Sequence, residues 1–417
     1  MSRTGLKVGV ALAALALVLA CGGGPSSPPT PSPAPPLSFA RSVKVGGFCC
    51  LLYTPRVVAS GGRIFVAWTQ AIRYTTYIPL RRSTDGGLNF PDELAFVDAS
   101  SGDRDAANLA AAPGGALSLV WEDTRNGTCD PFCRGEQVFT TRSADGGASF
   151  APNQTVEATA SSDEQRTPVH AVADNGDVLV AWQDRRNRRA EIYFARSLDA
   201  GASYERAILV DAGGAGSGEQ RFPAIATQAD GRVYVGWLDT RSGLPEVYLA
   251  RSLDRGASFG AGAPLHPAVP AVTDRASLQL GVTGAGRLVT AWSEKRHGRC
   301  QVRCAMSLDG AQSFATARAT DPATQGDQTF PALAVYGSGE VYLAWQDSRT
   351  GSDRVRVARS LDGADSFEAS VLVDDPGAVG GNQQQPALSV DASGRLLAVW
   401  LDFSKADSGV YFARSLR

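Results

Sequence analysis

The sequence predicts an all-β protein, a seven-bladed β-propeller of four-stranded blades. Three observations lead to this prediction: a Ser-x-Asp motif recurs six times, a β-rich run ending in tryptophan recurs seven times, and the chain ends in the middle of a repeat. Fixed repeats of this length are typical of propellers, in which each repeat forms one small sheet. A six-bladed ring is the alternative prediction.

The first repeated motif begins with serine, has aspartate two residues later and ends with an aromatic residue five positions after the aspartate. Its six segments are STDGGLNF, SADGGASF, SLDAGASY, SLDRGASF, SLDGAQSF and SLDGADSF. In a hairpin turn the aspartate can accept backbone N–H groups, glycine supplies positive φ, and the aromatic ring anchors the turn in the core. We therefore predict a structural role for Asp85, Asp145, Asp199, Asp254, Asp309 and Asp362.

The second repeated motif gives the blade count. The β-rich runs end at Trp68, Trp121, Trp182, Trp237, Trp292, Trp345 and Trp400, and five motif aspartates follow their tryptophan by 17 residues. Counted from Trp400, the same spacing reaches Arg417, the last residue, so the seventh repeat lacks its final strand. The segment 37–45 looks like that missing part. We expect the two termini to share the last blade, which removes an open sheet edge.

Within each repeat the strand order can also be predicted. We expect the tryptophans to pack between blades and five prolines to begin the innermost strands: Pro55, Pro168, Pro223, Pro331 and Pro386. His170 falls inside such a strand, so it is predicted to be a core residue. His297 follows a charged segment and is predicted to lie on the surface.

The N-terminal segment predicts export and lipid attachment. Residues 1–20 combine Arg3 and Lys7 with a short apolar run, which is typical of a cleaved signal peptide. Val18-Leu19-Ala20-Cys21 resembles a bacterial lipobox, so Cys21 is the expected lipid attachment site. Residues 21–36 are rich in Pro, Ser and Gly and are predicted to form a tether, and residues 37–417 form the propeller. In a Gram-negative cell, Gly22 after the cysteine favours the outer membrane, with the lipid as the only membrane contact.

The remaining six cysteines predict disulfides, because the chain is exported and their number is even. Cys129 with Cys133 and Cys300 with Cys304 are candidate local bridges that require a bent loop, and the pairing of Cys49 and Cys50 is open. With three histidines in the chain, we expect neither a metal site nor a cofactor. A net charge of −2 with scattered basic residues excludes nucleic acid as the expected partner. We expect a monomer.

Recurring polar residues point to one face of the propeller. The Ser-x-Asp turns should lie on one face, and the loops that enter the first strand and leave the second on the other. Either these polar residues pair between neighbouring blades, or some of them converge on a glycan. The weak catalytic candidates among them are Glu164, Arg166, Asp184, Glu219, Arg221 and Asp239.

The Ser-x-Asp segments resemble the Asp box of the sialidase and BNR-repeat superfamily over nearly all of residues 37–417. In sialidases the resemblance implies three arginines that grip the substrate carboxylate, a tyrosine nucleophile assisted by glutamate, and an aspartate acid/base. Arg166-Thr167-Pro168 and Arg221-Phe222-Pro223 resemble the first arginine segment, but they belong to the third and fourth repeats. The first repeat reads Tyr53-Thr54-Pro55-Arg56, and sialidases usually have six blades, so sialidase activity does not transfer directly.

Two functions remain open on these grounds. The first is a cell-envelope lipoprotein that binds an extracellular glycan, with sialidase-like glycoside hydrolysis as its potential activity. The second is a non-enzymatic scaffold that binds proteins in the envelope. A Glu/Tyr or paired-carboxylate cluster present in one blade and unmatched in the others favours the enzyme. A pocket of repeated, mutually paired residues favours the scaffold. In both cases the ligand is expected on the face opposite the Asp boxes.

Overall fold

Seven antiparallel sheets form the blades of a β-propeller within the unit Leu37–Arg417. The structure, a computed structural model, describes residues 34–47, 52–72, 75–94, 103–112, 114–127, 135–157, 164–212, 218–265, 272–315, 318–319, 321, 325–337, 339–374, 382–403 and 408–416. Five cysteines assigned to lipid attachment or disulfides lie outside these residues: Cys21, Cys49, Cys50, Cys129 and Cys133. The described part of the chain contains strands, turns and loops but no helix.

The strands follow one another around the ring. The first strand is β1 (Val43–Gly47), and blade 1 then contains β2 (Leu52–Ser60), β3 (Arg63–Ile72), β4 (Thr75–Tyr77), β5 (Leu80–Ser83) and β6 (Asp92–Leu94). Blade 2 contains β7 (Arg104–Ala111), β8 (Leu117–Asp123), β9 (Gln137–Ser143) and β10 (Gln154–Thr155). Blade 3 contains β11 (Gln165–Val172), β12 (Val178–Asp184), β13 (Glu191–Ser197) and β14 (Ile208–Leu209).

The other blades repeat this order. Blade 4 contains β15 (Gln220–Thr227), β16 (Val233–Asp239), β17 (Glu246–Ser252) and β18 (Ala263–Pro264). Blade 5 contains β19 (Val272–Val282), β20 (Leu288–Arg296), β21 (Arg299–Ser307) and β22 (Arg318–Ala319). Blade 6 contains β23 (Gln328–Tyr336), β24 (Glu340–Asp347), β25 (Arg354–Ser360) and β26 (Val371–Leu372). Blade 7 contains β27 (Gln383–Val390), β28 (Leu396–Asp402), β29 (Gly409–Arg414) and the N-terminal β1.

Blade 7 closes the ring with strands from both termini, as predicted. β1 pairs antiparallel with β29, from Val43 opposite Phe412 to Gly47 opposite Gly409. An additional bridge joins Phe39 to Ser415. The seven-blade prediction is therefore confirmed, and the six-bladed alternative is wrong.

The Ser-x-Asp turns have the predicted hydrogen bonds. In the first turn, Asp85 Oδ1 accepts the backbone N–H groups of Leu88 and Asn89 at 2.9 and 3.0 Å. The Ser83 hydroxyl donates to the same carboxylate at 2.7 Å and accepts the N–H of Gly87 at 2.8 Å. These hydrogen bonds hold the pKa of Asp85 below its usual range. The turn aspartates thus serve the fold, as the sequence predicts.

The tryptophans are buried between blades, each at most 3% exposed. The indole N–H of Trp182 donates to Asp184 at 3.0 Å, and Trp121, Trp237 and Trp345 make the same bond at 2.8–2.9 Å to Asp123, Asp239 and Asp347. Six of the seven tryptophans have such a partner two residues later, with Glu294 and Gln70 accepting in blades 5 and 1. The indole nitrogen of Trp400 has no partner among the described residues.

These buried acids also join neighbouring blades. Asp184 accepts from Arg186 at 2.6 Å and from Gln165 at 3.2 Å, and Arg186 reaches back to Glu157 of blade 2. The Gln165 side-chain oxygen accepts the backbone N–H of Val138, also in blade 2, at 3.0 Å. The pattern recurs where Arg241 bridges Asp239 and Asp211, and where Arg349 bridges Asp347 and Asp321.

Two predictions are corrected by the strands. The five prolines do not begin the inner strands; each lies three residues inside its strand, for example Pro55 in β2, which begins at Leu52. Each lies within a register shift of its strand, where its missing N–H removes no ladder bond. Cys300 and Cys304 are both free and lie on the continuous strand β21. An extended strand separates their Cα atoms by roughly 13 Å, so the predicted bridge between them is not formed.

Ring closure predicts the effect of a charge in β1. Val45 is fully buried against blade 7 and blade 1 side chains, whereas Lys44 is exposed. Val45→Asp buries an unpaired carboxylate, so we expect a loss of about 3 kcal/mol or more in the free energy of unfolding, measured by urea denaturation. Lys44→Asp is the control and should cost much less. Equal losses in the two variants would contradict the closure of the ring by β1.

Candidate functional site

The two faces of the disc differ in their elements. Because neighbouring strands of a blade run antiparallel, the first strands begin and the second strands end at one face, which we call the mouth face. The Ser-x-Asp turns, between third and fourth strands, lie at the other. All six weak candidates precede a first strand, start one or end a second strand, so they belong to the mouth face: Glu164, Arg166, Asp184, Glu219, Arg221 and Asp239.

A ring of strained residues surrounds the mouth of the central channel. Each inner strand shifts register near its start, and the residue at the shift has φ between 47° and 56°, although it is not glycine. This left-handed conformation is unfavourable for residues with a Cβ atom and clusters at functional sites in proteins. The seven residues are Thr54, Ala106, Thr167, Phe222, Ser277, Phe330 and Gln385. They line a mouth cavity of about 340 Å³.

Next to this ring, each blade presents one cross-strand pair, which we call the rim pair. It consists of the residue that follows the recurring tryptophan on the second strand and the residue opposite it on the inner strand. From blade 1 to blade 7 the rim pairs are Tyr53–Thr69, Asp105–Glu122, Arg166–Gln183, Arg221–Leu238, Ala276–Ser293, Thr329–Gln346 and Gln384–Leu401. Only blade 2 contributes two carboxyl groups. Directly opposed residues have Cβ atoms roughly 5 Å apart, so Asp105 and Glu122 are neighbours.

Glu122 has an unusual environment for a carboxyl group. It is half-buried, and its Oε1 atom accepts the backbone N–H of the ring residue Thr167 at 2.6 Å. Burial raises the pKa of Glu122 to about 7; the Thr167 hydrogen bond opposes this rise, and the charge of Asp105 adds to it. A carboxyl group with this pKa is about half protonated near neutral pH, as a general acid requires.

Blade 3 places a cation beside this pair. Arg166 contacts Glu136 at 2.7 Å and Glu164 at 3.7 Å, and its charge lowers the pKa of Glu122. In blade 4, Arg221 is 46% exposed and contacts Glu219 at 2.8 Å. Arg166 therefore acts on the rim pair Asp105–Glu122, while Arg221 and Glu219 form a separate ion pair on the rim.

Asp184 and Asp239 belong to the networks that pair neighbouring blades, the first of the two interpretations given for the repeated polar residues. Both side chains are at most 1% exposed, and their oxygens accept from a tryptophan, an arginine and a glutamine. They hold blades together and do not line the mouth cavity. Their described partners lie in their own blade, and the arginine and glutamine among these partners reach the preceding blade.

The central channel lies beneath the mouth. Its cavity of about 300 Å³ is lined by all seven inner strands, mostly by Ala, Val, Leu and Pro side chains. Arg56, Asn108, His170 and Gln279 are polar exceptions. His170 is buried, as predicted, and burial lowers its pKa to about 4. His297 is exposed in the turn between β20 and β21, also as predicted.

Exposed aromatic rings occur at the mouth face. Phe222 and Phe330 belong to the strained ring and are 49% and 45% exposed. Tyr53 is 36% exposed and lines a side cavity together with Asp105. Aromatic surfaces next to polar groups are suited to binding sugar rings, whose faces are apolar and whose hydroxyl groups are polar.

Asp105 and Glu122 do not recur in the other repeats, so they are not among the candidates predicted from repeated residues. A signal was present: when the repeats are aligned on tryptophan, the following residue is Glu in the second repeat alone. An enzyme is expected to have paired carboxylates in one blade that the other blades lack. Among the described rim pairs, Asp105–Glu122 of blade 2 is such a pair.

No protein-family model and no curated protein matches the chain. Among solved structures, a protein of unknown function from Dyadobacter fermentans is similar with a TM-score of 0.57 and 14% identity, covering 92% of this chain and 99% of its own. A polysaccharide lyase of family PL25, an ulvan lyase, has a TM-score of 0.59 and 11% identity, with 90% and 95% covered. Trypanosoma rangeli sialidase has a TM-score of 0.50 and 12% identity, with 91% and 60% covered.

At these identities the similarity shows the fold alone. The protein has a propeller fold shared with carbohydrate-active enzymes, among them a lyase and a sialidase. The described residues contain no group of three or more His, Cys, Asp or Glu side chains placed to hold a metal ion. No helix in the described part of the chain is long and apolar enough to cross a membrane.

The raised pKa of Glu122 predicts a pH-dependent stability. Because the folded protein binds this proton more tightly than the unfolded chain, stability should fall as pH rises from about 4.5 to about 7. Glu122→Gln removes this effect, so the variant should gain on the order of 2 kcal/mol over wild type between pH 5 and pH 8.

Thermal unfolding at several pH values measures this gain. Gln183→Leu is the matched control, because it changes the same rim-pair position in blade 3 without a titrating group. Its difference from wild type should not vary with pH. A pH-independent difference for Glu122→Gln as well would contradict the raised pKa.

Proposed function

We propose that the propeller binds a glycan across the mouth face and hydrolyses a glycosidic bond with the rim pair of blade 2. The observation that carries this proposal is the pair Asp105–Glu122, the one described rim pair with two carboxyl groups. Glycoside hydrolysis commonly uses two neighbouring carboxyl groups, one as acid and the other as base or nucleophile. A scaffold for proteins has no need of this asymmetry.

The environments of the two carboxyl groups suggest their roles. Glu122 can remain protonated near neutral pH, and its described hydrogen bond engages Oε1, which leaves Oε2 to donate a proton to the glycosidic oxygen. Asp105 is exposed at the start of β7 and would act as the base or nucleophile. Arg166 beside them would limit how far the pKa of Glu122 rises.

Three further observations support a glycan as the ligand. Phe222 and Phe330 offer exposed rings at the mouth, and Arg166 and Arg221 offer hydrogen-bond donors for hydroxyl or acidic groups. Similar propellers include an ulvan lyase solved with a bound -[GlcA(1-4)Rha3S]- oligosaccharide. The Ser-x-Asp turns also fit an Asp-box propeller of the sialidase-like BNR class, which we propose as the family.

Activity assays test the proposal. The purified protein should hydrolyse at least one member of a panel of sialosides, arabinans and uronic-acid oligosaccharides. Glu122→Gln and Asp105→Asn should each lower kcat by about 100-fold or more. Glu219→Gln, a rim carboxyl change outside the pair, should stay within about three-fold of wild type. No turnover by wild type, or full turnover by Glu122→Gln, would contradict the proposal.

The pH profile gives a second readout in the same assay. If Glu122 is the acid, kcat should decline above about pH 7 because the group loses its proton. Arg166→Ala removes a charge that lowers this pKa, so the decline should move to higher pH. An unchanged alkaline limb would contradict the role of Glu122.

We also propose that the protein is exported and lipid-anchored at Cys21 in the bacterial envelope, on the outer membrane. The lipobox-like segment supports this. The backbone of Ser38 accepts the N–H of Leu416 at 2.9 Å beside the Ser-x-Asp face, so the propeller begins opposite the mouth.

Lipid attachment can be measured directly. Wild type expressed in a Gram-negative host should incorporate labelled palmitate and fractionate with membranes. Cys21→Ala should lose the label and appear in the soluble periplasmic fraction. Equal labelling of the variant would contradict attachment at Cys21.

A further inference from the structure

Arg56 is a cation in the middle of the propeller that forms no ion pair with the part of the chain that the structure describes. It lies on the inner strand β2 and lines both the mouth cavity and the channel cavity. Its one described acceptor is the neighbouring Pro55 carbonyl, at 3.0 Å from Nη1. No carboxyl group of the described residues forms an ion pair with it, in contrast to Arg166 and Arg186.

The groups around Arg56 do not compensate its charge. The other polar residues that line the channel cavity are Asn108, His170, Gln279 and Ser389. His170 Nε2 lies 3.0 Å from the carbonyl oxygen of Ser118, which accepts from the Nε2–H of a neutral ring. The charge of Arg56 also acts against protonation of His170. The walls of the channel are thus neutral or positive along the described inner strands.

Arg56 is enclosed by the seven inner strands and has no carboxylate partner among the described residues. Enclosing an unpaired charge is costly, and a bound anion would relieve that cost. Arginine binds carboxylates through two parallel N–H donors, which gives such a site its geometry. A cavity of about 300 Å³ holds a group of this size, since one water molecule occupies about 30 Å³ in the liquid.

We propose that the central channel is an anion site in which Arg56 binds a carboxylate group. The carboxylate could belong to a small free acid in the channel. It could also be the acid group of a sugar residue held in the mouth, because Arg56 lines both cavities. The second source rests on the proposed function and would make the substrate an acidic glycan.

Binding measurements distinguish these sources. Isothermal titration of the full protein with sodium acetate, sodium glucuronate and glucose, at constant ionic strength set with sodium chloride, measures each affinity. Arg56→Gln keeps the size and polarity of the side chain but removes its charge. Arg232→Gln is the matched control, because it removes an exposed arginine that pairs with Asp230 in the turn between β15 and β16, at the face opposite the mouth.

We expect wild type and Arg232→Gln to bind at least one of the two acids and to bind glucose at least ten-fold more weakly. Arg56→Gln should lose at least about ten-fold in affinity for that acid. Similar affinity for acetate and glucuronate would identify the ligand of Arg56 as a small free acid. A marked preference for glucuronate would identify it as the acid group of a sugar.

Failure to bind either acid, or unchanged binding by Arg56→Gln, would overturn the proposal. Melting temperatures check that the variant folds: Arg56→Gln should be at least as stable as wild type without anion, because it removes an uncompensated charge. Since titration measures binding alone, its outcome does not depend on whether the protein hydrolyses glycans.

Discussion

The hydrogen bond from a buried indole to an acid two residues later is the interaction on which the propeller depends. At Trp182 this bond fixes Asp184, which in turn holds Arg186 and Gln165, and these two side chains reach into the preceding blade. The same unit recurs at Trp237 and Trp345, where Arg241 and Arg349 again bridge two acids. The rim pairs lie directly after these tryptophans, at the mouth face.

The repeated polar residues are poor candidates for catalysis, because their side chains are engaged in this buried network. Asp184 is fully buried and accepts hydrogen bonds from Trp182, Gln165 and Arg186 through both carboxylate oxygens. It is therefore not accessible to a ligand, and its recurrence between repeats reflects packing. The rim pair next to it is free to vary, and it does so from blade to blade. The strained bulge beside each rim pair bends the inner strand, and Glu122 accepts the N–H of one bulge residue, Thr167. The bulge residue Thr167 therefore connects the inner strand of blade 3 with the candidate catalytic residue Glu122.

Much of the fold could be predicted from the sequence because propeller repeats are local. The distance from Trp400 to Arg417 was enough to infer the shared blade, since strand pairing across the termini is the simplest way to protect an open edge. The bulges could not be predicted, because the left-handed residues have no shared type: Thr54, Phe222 and Gln385 occupy equivalent positions. The candidate site could not be predicted from repeated residues, because a glutamate follows the tryptophan in the second repeat alone.

The central claim is that Glu122 differs from an ordinary surface carboxyl group because of its place in the ring. The most direct test is an NMR titration of its side-chain carboxyl carbon, assigned by comparison with Glu122→Gln. The account predicts a midpoint near pH 7, as burial and the neighbouring Asp105 require. A midpoint below about pH 5, in the range of exposed glutamates, would contradict it.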